Sequence, residues 1–134
     1  MNLNRMYGNR SNGKKHGDVF TSPDIVKYML DMSEYTSDRD LSSITVIEPS
    51  CGEGEFVLEI ISRLSQSAGK YKFSLNEAIK RCLVCFDIDK VKIEKCIHKI
   101  HTFNPTIELG EDIFRHEDFL SVSYTHLRAH ETLS

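Results

Sequence analysis

The chain has 134 residues, 40% of them hydrophobic and 28% charged, with a net charge of −3 at pH 7. One domain's length of ordinarily hydrophobic chain excludes wholesale disorder, and its size calls for no disulfide or metal staple. No apolar run approaches the ~18 residues of a membrane span, no apolar signal core opens the sequence, and the mild acidity argues against a free-standing DNA-coating protein.

Residues 1–17 carry Arg5, Arg10, Lys14 and Lys15 without a single acid, and read as a mobile basic arm. After Thr21, the run Ser22-Pro23-Asp24 supplies a hydroxyl cap, a proline at the first helical position and an acid in the first turn. Ile25, Val26, Met29, Leu30 and Met32 continue at helical spacing, and residues 33–43 form a polar connection. The β-branched run 44–47 reads as a buried strand ending in a glycine-rich turn. A helix follows, with Phe56, Val57, Ile60, Ile61 and Leu64 on one stripe. Residues 65–72 read as a loop. Ser74 and Glu77 make a capping box that opens a short helix. Residues 82–86 (CLVCF) form a second buried strand, closed by Asp87 and Asp89. A helix over 90–101 buries Val91, Ile93, Ile97 and Ile100 and breaks at Asn104-Pro105. Residues 106–109 offer a third strand or part of one, and 117–120 end the pattern. Alternating strands and helices give an α/β class with a parallel sheet. Four cysteines in a chain without a secretion signal read as reduced thiols and place it in the cytoplasm.

Residues 122–132 (VSYTHLRAHET) have neither helical nor strand periodicity. They resemble the in-frame translation of a sequencing adapter, so 122–134 reads as a non-native tail in which Tyr124, His126, Arg128 and His130 carry no function. The expectation is an N-terminal piece of a protein that continues after about Ser121. The tail leaves the charge at −3, because Arg128 and Glu131 cancel.

The chemistry centres on the strand-to-helix turn IEPSCGEGEF. Glycines there let a ligand approach the backbone, and the following helix offers free N–H groups and a positive dipole end. The dinucleotide fingerprint G-x-G-x-x-G is not met, because position 57 is Val. Glu48, at the end of the strand, would repel pyrophosphate but suit a cationic amine or sulfonium. Asp87, at the end of the next strand, stands where doubly wound folds bind ribose hydroxyls. Glu48, Gly52, Gly54 and Asp87 together suggest a positively charged nucleoside without phosphates. S-adenosylmethionine fits that description.

The segments GDVFTSPDIVKYML, VIEPSCGEGEF, FDID and EDFL, in that order over residues 16–121, resemble the N-terminal half of adenine-specific (N6) DNA methyltransferases of restriction–modification systems. The Thr-x-Pro-x-x-Val helix start points to the DNA-adenine group. The resemblance implies a class I, Rossmann-like methyltransferase sheet truncated after about three strands, with residues 18–121 as the cofactor-binding half. It implies S-adenosylmethionine as cofactor, DNA as partner through regions outside this sequence, and a restriction or specificity subunit. Thr21 would meet the methionine carboxylate and Glu48 the methionine amino group. Ser50, Cys51, Gly52 and Gly54 would line the turn under the cofactor. Asp87 would bind the ribose hydroxyls and Ile88 pack on the adenine face. Asp118 would accept from the adenine amino group and Phe119 flank the ring; Glu117 departs from the small residue common before that acid. The family's catalytic Asn/Asp-Pro-Pro-Tyr/Phe is absent, and Asn104-Pro105-Thr106-Ile107 is a turn rather than a substitute. Without it nothing stacks the flipped base or accepts from its amino group.

Two other functions are open at this level. One is a class I methyltransferase acting on protein or RNA. The other is a zinc-dependent nucleic-acid-binding module built on Cys82, Cys85, His98 and His101, whose last spacing is one residue short of a zinc finger's. Against zinc, the cysteines fall in an apolar run, and the basic residues over 90–99 alternate with apolar and acidic ones as on a solvated helix face.

Overall fold

The structure, a computed structural model, describes residues 22–122. Thr21, His16, the arm at 1–17 and all of the tail after Val122 lie outside the described residues.

The first helix, α1 (Pro23–Met32), starts where its cap chemistry places it. Ser22 Oγ accepts from the Ile25 N–H at 3.3 Å, and Pro23 occupies the first helical turn, where a missing N–H costs nothing. The polar connection after it is anchored by two buried side chains, Tyr35 and Leu41. Strand β1 (Val46–Glu48) is followed by helix α2 (Glu55–Tyr71), helix α3 (Leu75–Cys82), strand β2 (Leu83–Phe86), helix α4 (Lys90–Phe103) and strand β3 (Phe114–Arg115). The three strands form one parallel sheet in the order β1-β2-β3. Each parallel step needs a crossover, which α2 with α3 supplies for the first and α4 for the second.

Register decides which face carries the core. Val46 pairs with Leu83 and Glu48 with Cys85, and these four share one face of the sheet. The core there is built from Val26 and Met29 of α1, Val57, Ile60, Ile61 and Leu64 of α2, Ile79 of α3, and Ile93, Cys96 and Ile100 of α4. Ile47 pairs with Val84 on the opposite face, where Ile47 is half exposed.

Four sequence expectations are corrected. Residues 65–72 are not a loop: α2 runs to Tyr71 and ends at Lys72 in the left-handed conformation. The polar Ser67 belongs in the helix because its hydroxyl donates to Arg39 O at 2.7 Å and accepts from the Leu41 N–H at 3.0 Å. Residues 106–109 are not a strand. Asn76 takes two of their backbone groups, donating to Thr106 O at 3.2 Å and accepting from the Glu108 N–H at 2.9 Å, and Asn104 and His101 take three more, which draws the segment away from a ladder. The third strand lies further on, where the Cys85 N–H donates to Ile113 O and the Asp87 N–H to Arg115 O. Cys82 closes α3 rather than opening β2, and β1 starts at Val46, two residues later than the β-branched run suggested.

A buried arginine ties α1 to α2. Arg63 Nη1 meets Asp31 Oδ1 at 2.7 Å and Tyr35 O at 3.0 Å, Nη2 donates to Lys27 O at 3.3 Å, and Nε meets Glu59 Oε2 at 3.0 Å.

Candidate functional site

The C-terminal ends of β1 and β2 lie side by side, and the turn between β1 and α2 rises over them. Parallel α/β sheets bind ligands at this end of the strands. The turn is stitched to β2: the Cys51 N–H donates to Phe86 O at 2.8 Å and the Gly54 N–H returns to Cys51 O at 3.0 Å. Gly52 and Gly54 both have positive φ, +55° and +105°, which a glycine adopts without the Cβ clash.

Two carboxylates hold the turn. Glu48 Oε1 accepts from the Ser50 N–H at 3.2 Å, and Asp87 Oδ2 accepts from the Gly52 N–H at 2.8 Å. Both side chains are buried, with Glu48 4% and Asp87 7% exposed. Burial, reinforced by the negative charges of Asp87 and Glu55, pushes the Glu48 carboxyl up to about 7, against the smaller pull of the Ser50 N–H. Glu48 also lines a cleft of about 350 Å³ with Met29, Tyr35, Ile47, Pro49 and Phe56. The pair of acids fits a cationic group better than a phosphate.

Asp87 opens a tightly bonded turn. Its Oδ1 accepts from the Asp89 N–H at 2.8 Å, and Asp89 Oδ1 caps α4 through the Val91 N–H at 2.9 Å. Between them Ile88 is 72% exposed, an apolar side chain held into solvent beside the turn. The residues after β3 come to the same end of the sheet. Phe119 packs on Phe86 with ring centroids 5.2 Å apart, and Arg115 stands 6.0 Å from the Phe86 ring. Asp118 is exposed, and its Oδ1 accepts from the Leu120 N–H at 3.1 Å.

Of the sequence-derived site, Glu48, Ser50, Cys51, Gly52, Gly54, Asp87 and Ile88 are therefore brought together, with Phe119 behind them on Phe86. Thr21 lies outside the described residues. The glycines divide the work. A Cβ on Gly52 would meet only Glu55 Oε2 at 3.7 Å, whereas one on Gly54 would press on Cys96 Sγ at 3.0 Å. Gly54 is thus required for the close approach of α4. The hydrogen bond between the Cys51 and Cys96 thiols, together with burial, pushes the Cys51 thiol far up, away from the thiolate that a nucleophile needs.

The zinc arrangement does not assemble. The Cys82 thiol donates to Ser42 O, Cys85 is fully buried in β2, and His101 Nε2 faces Ile107 O at 3.1 Å. Among the described residues no group of three or more His, Cys, Asp or Glu could hold a metal ion. Nor is any helix among them long and apolar enough to cross a membrane. Sequence reasoning missed Arg63, whose only signal was the Glu59–Arg63 spacing; His116, which reads as a lone surface histidine, is exposed and bonds to Ile88 O at 2.8 Å.

Relatives exist for part of this chain. It is similar to type II methyltransferases. It is 43% identical to the type II methyltransferase M.XhoI of Xanthomonas vasicola over 53 residues, which is 40% of this chain and 10% of that protein. It is 33% identical to M.BstVI of Geobacillus stearothermophilus over 81 residues, 60% of this chain and 14% of the relative. With M.PaeR7I of Pseudomonas aeruginosa the figures are 44% over 48 residues, 36% and 8%. The chain therefore spans between 8% and 14% of these relatives' lengths. No family model matches the chain.

Proposed function

We propose that this chain carries the S-adenosylmethionine-binding part of a class I methyltransferase that modifies adenine N6 in DNA, with residues 18–121 as that part. The observation that carries the reading is the Asp87–Gly52 bond, which fixes two buried acids around a glycine turn at the ends of adjacent parallel strands. The relatives' names, type II methyltransferases, support it.

When bound, the cofactor supplies a methyl group on a sulfonium. The chain's own residues bind and orient it. Ionised Glu48 would face the methionine amino group, and Thr21, beside the cap of α1, the carboxylate. Ser50, Cys51, Gly52 and Gly54 form the turn beneath it. Asp87 would accept from the ribose hydroxyls with the lone pairs that Gly52 and Asp89 leave free. Ile88 would cover one face of the adenine, with Phe119 at its edge and Asp118 accepting from its amino group. No Asn-Pro-Pro-aromatic segment occurs in these 134 residues, so they bind cofactor without carrying out the transfer. DNA, and a restriction or specificity subunit, would be engaged by parts of the whole protein corresponding to the length its relatives have beyond this chain.

Calorimetry tests this directly. S-adenosylmethionine should bind the chain and ATP should not, because Glu48 and Asp87 repel phosphate. Asp87→Ala should abolish the signal. Tighter binding of ATP than of S-adenosylmethionine would overturn the reading.

A further inference from the structure

His116 follows β3 directly and reaches back to the turn after β2, where its Nε2 lies 2.8 Å from Ile88 O. A carbonyl oxygen only accepts, so Nε2 must carry the proton. The Ile88 carbonyl belongs to the same planar peptide as the Asp89 N–H, and in a trans peptide the two point in opposite directions. That N–H donates to Asp87 Oδ1 at 2.8 Å. One peptide plane is therefore held at both ends, by an imidazole from β3's side and by the carboxylate that also holds Gly52.

We infer that His116 is a positioning residue that, through this clamped peptide, aims Ile88 and Asp87 at the nucleoside end of the ligand. The inference rests on the nucleoside-binding reading above. The residues beyond the plane are already tied down, because Asp89 Oδ1 holds the Val91 N–H at 2.9 Å and the Lys92 N–H at 3.4 Å. The Ile88–Asp89 peptide is held at its N–H by Asp87 alone, and His116 supplies the second hold that stops its rotation. Releasing the carbonyl lets the plane swing. That changes the backbone angle which directs the exposed Ile88 side chain, and it takes the Asp89 N–H off the Asp87 carboxylate. Both effects fall on the ribose and base, and neither on the methionine end, which lies toward Glu48.

Calorimetry with S-adenosylhomocysteine and with 5′-methylthioadenosine, which lacks the amino-acid end, reads this out. His116→Ala should weaken both ligands equally, by about five- to tenfold, the worth of one backbone hydrogen bond and the ordering it imposes. His116→Gln, whose Nε2 reaches the same place, should return to within about twofold of the parent. Equal affinity in the Ala variant and the parent overturns the clamp while leaving the site's reading intact. Failure of the parent chain to bind either ligand overturns the reading, and the clamp with it. A second measurement needs no ligand. The ¹⁵N shifts of the His116 ring in the free protein should report the Nε2–H tautomer, and an Nδ1–H tautomer overturns the inference outright.

Discussion

The Gly52 N–H donates to Asp87 Oδ2 across 2.8 Å, joining residues 35 positions apart at the mouth of the sheet. A buried carboxylate that accepts backbone N–H groups is a fixed part of the scaffold before any ligand arrives. In the proposed reading its remaining lone pairs would accept from ribose hydroxyls, so that one side chain would shape the turn and present the site.

Replacing Asp87 should therefore damage stability as well as binding. Asp87→Ala strands the Gly52 and Asp89 N–H groups, and losing two bonds to a charged acceptor should lower stability by about 3 kcal/mol. Asp87→Asn keeps one acceptor but turns an NH2 toward the other donor, so it should fall between the two. Urea denaturation of the three proteins gives the order. An Ala variant as stable as its parent would contradict the structural role of the bond.

Glu48 makes stability depend on pH. The carboxyl titrates near 4.5 in the unfolded chain and near 7 in the folded protein, mainly because it is buried. Below pH 4.5 both states hold the proton and the residue carries no penalty. As pH rises toward 7 the unfolded state gives up its proton first, so stability falls, by about 3 kcal/mol once the folded group has ionised. Glu48→Gln is neutral throughout and keeps an oxygen for the Ser50 N–H. Its thermal stability should match the parent's at pH 4 and exceed it at pH 8. A difference that does not change with pH would rule the explanation out.

Much of this architecture is legible in the sequence because it rests on local chemistry. Ser22-Pro23 starts α1, Ser74 starts α3 by accepting from the Glu77 N–H, and the β-branched and apolar runs give β1 and β2. That the glycine turn and Asp87 meet was legible because both stand at the ends of adjacent strands. What stayed hidden depends on partners distant in the chain. Ser67 looks like a helix breaker until Arg39 and Leu41 come to meet it. Residues 106–109 look like a strand until Asn76 takes their backbone bonds. The short β3 is defined by β2's ladder rather than by its own composition. His116 has no local pattern at all, and only folding brings it to Ile88.

Gly54 is a packing requirement, and its replacement should show it. Ala at this position places a Cβ 3.0 Å from Cys96 Sγ and forces an L-residue to φ +105°. The combined strain should cost about 3 kcal/mol. Cys96→Ala removes the obstructing sulfur but not the backbone strain. A double-mutant cycle should therefore show Gly54→Ala costing about 1 kcal/mol less in the Cys96→Ala background. Strict additivity in chemical denaturation would show that α4 does not press on the turn.

Arg63 holds α1 in place over α2, and only an arginine has the geometry to do so. Its three nitrogens serve Asp31, Glu59 and the carbonyls of Tyr35 and Lys27 at once. Arg63→Lys supplies a single ammonium on a shorter reach and cannot satisfy all four, so the change is not conservative here. Asp31 is mostly exposed and can rehydrate, but Tyr35 O lies against a buried side chain and loses its donor. Arg63→Met preserves most of the stem's packing and isolates the polar loss, which should come to about 2 kcal/mol. Because the contacts to Lys27, Asp31 and Tyr35 join α1 and the connection after it to α2, hydrogen exchange should accelerate first in residues 23–32 while β2 and α4 stay protected. Uniform acceleration across the chain would mean that Arg63 supports the whole core rather than the seat of α1.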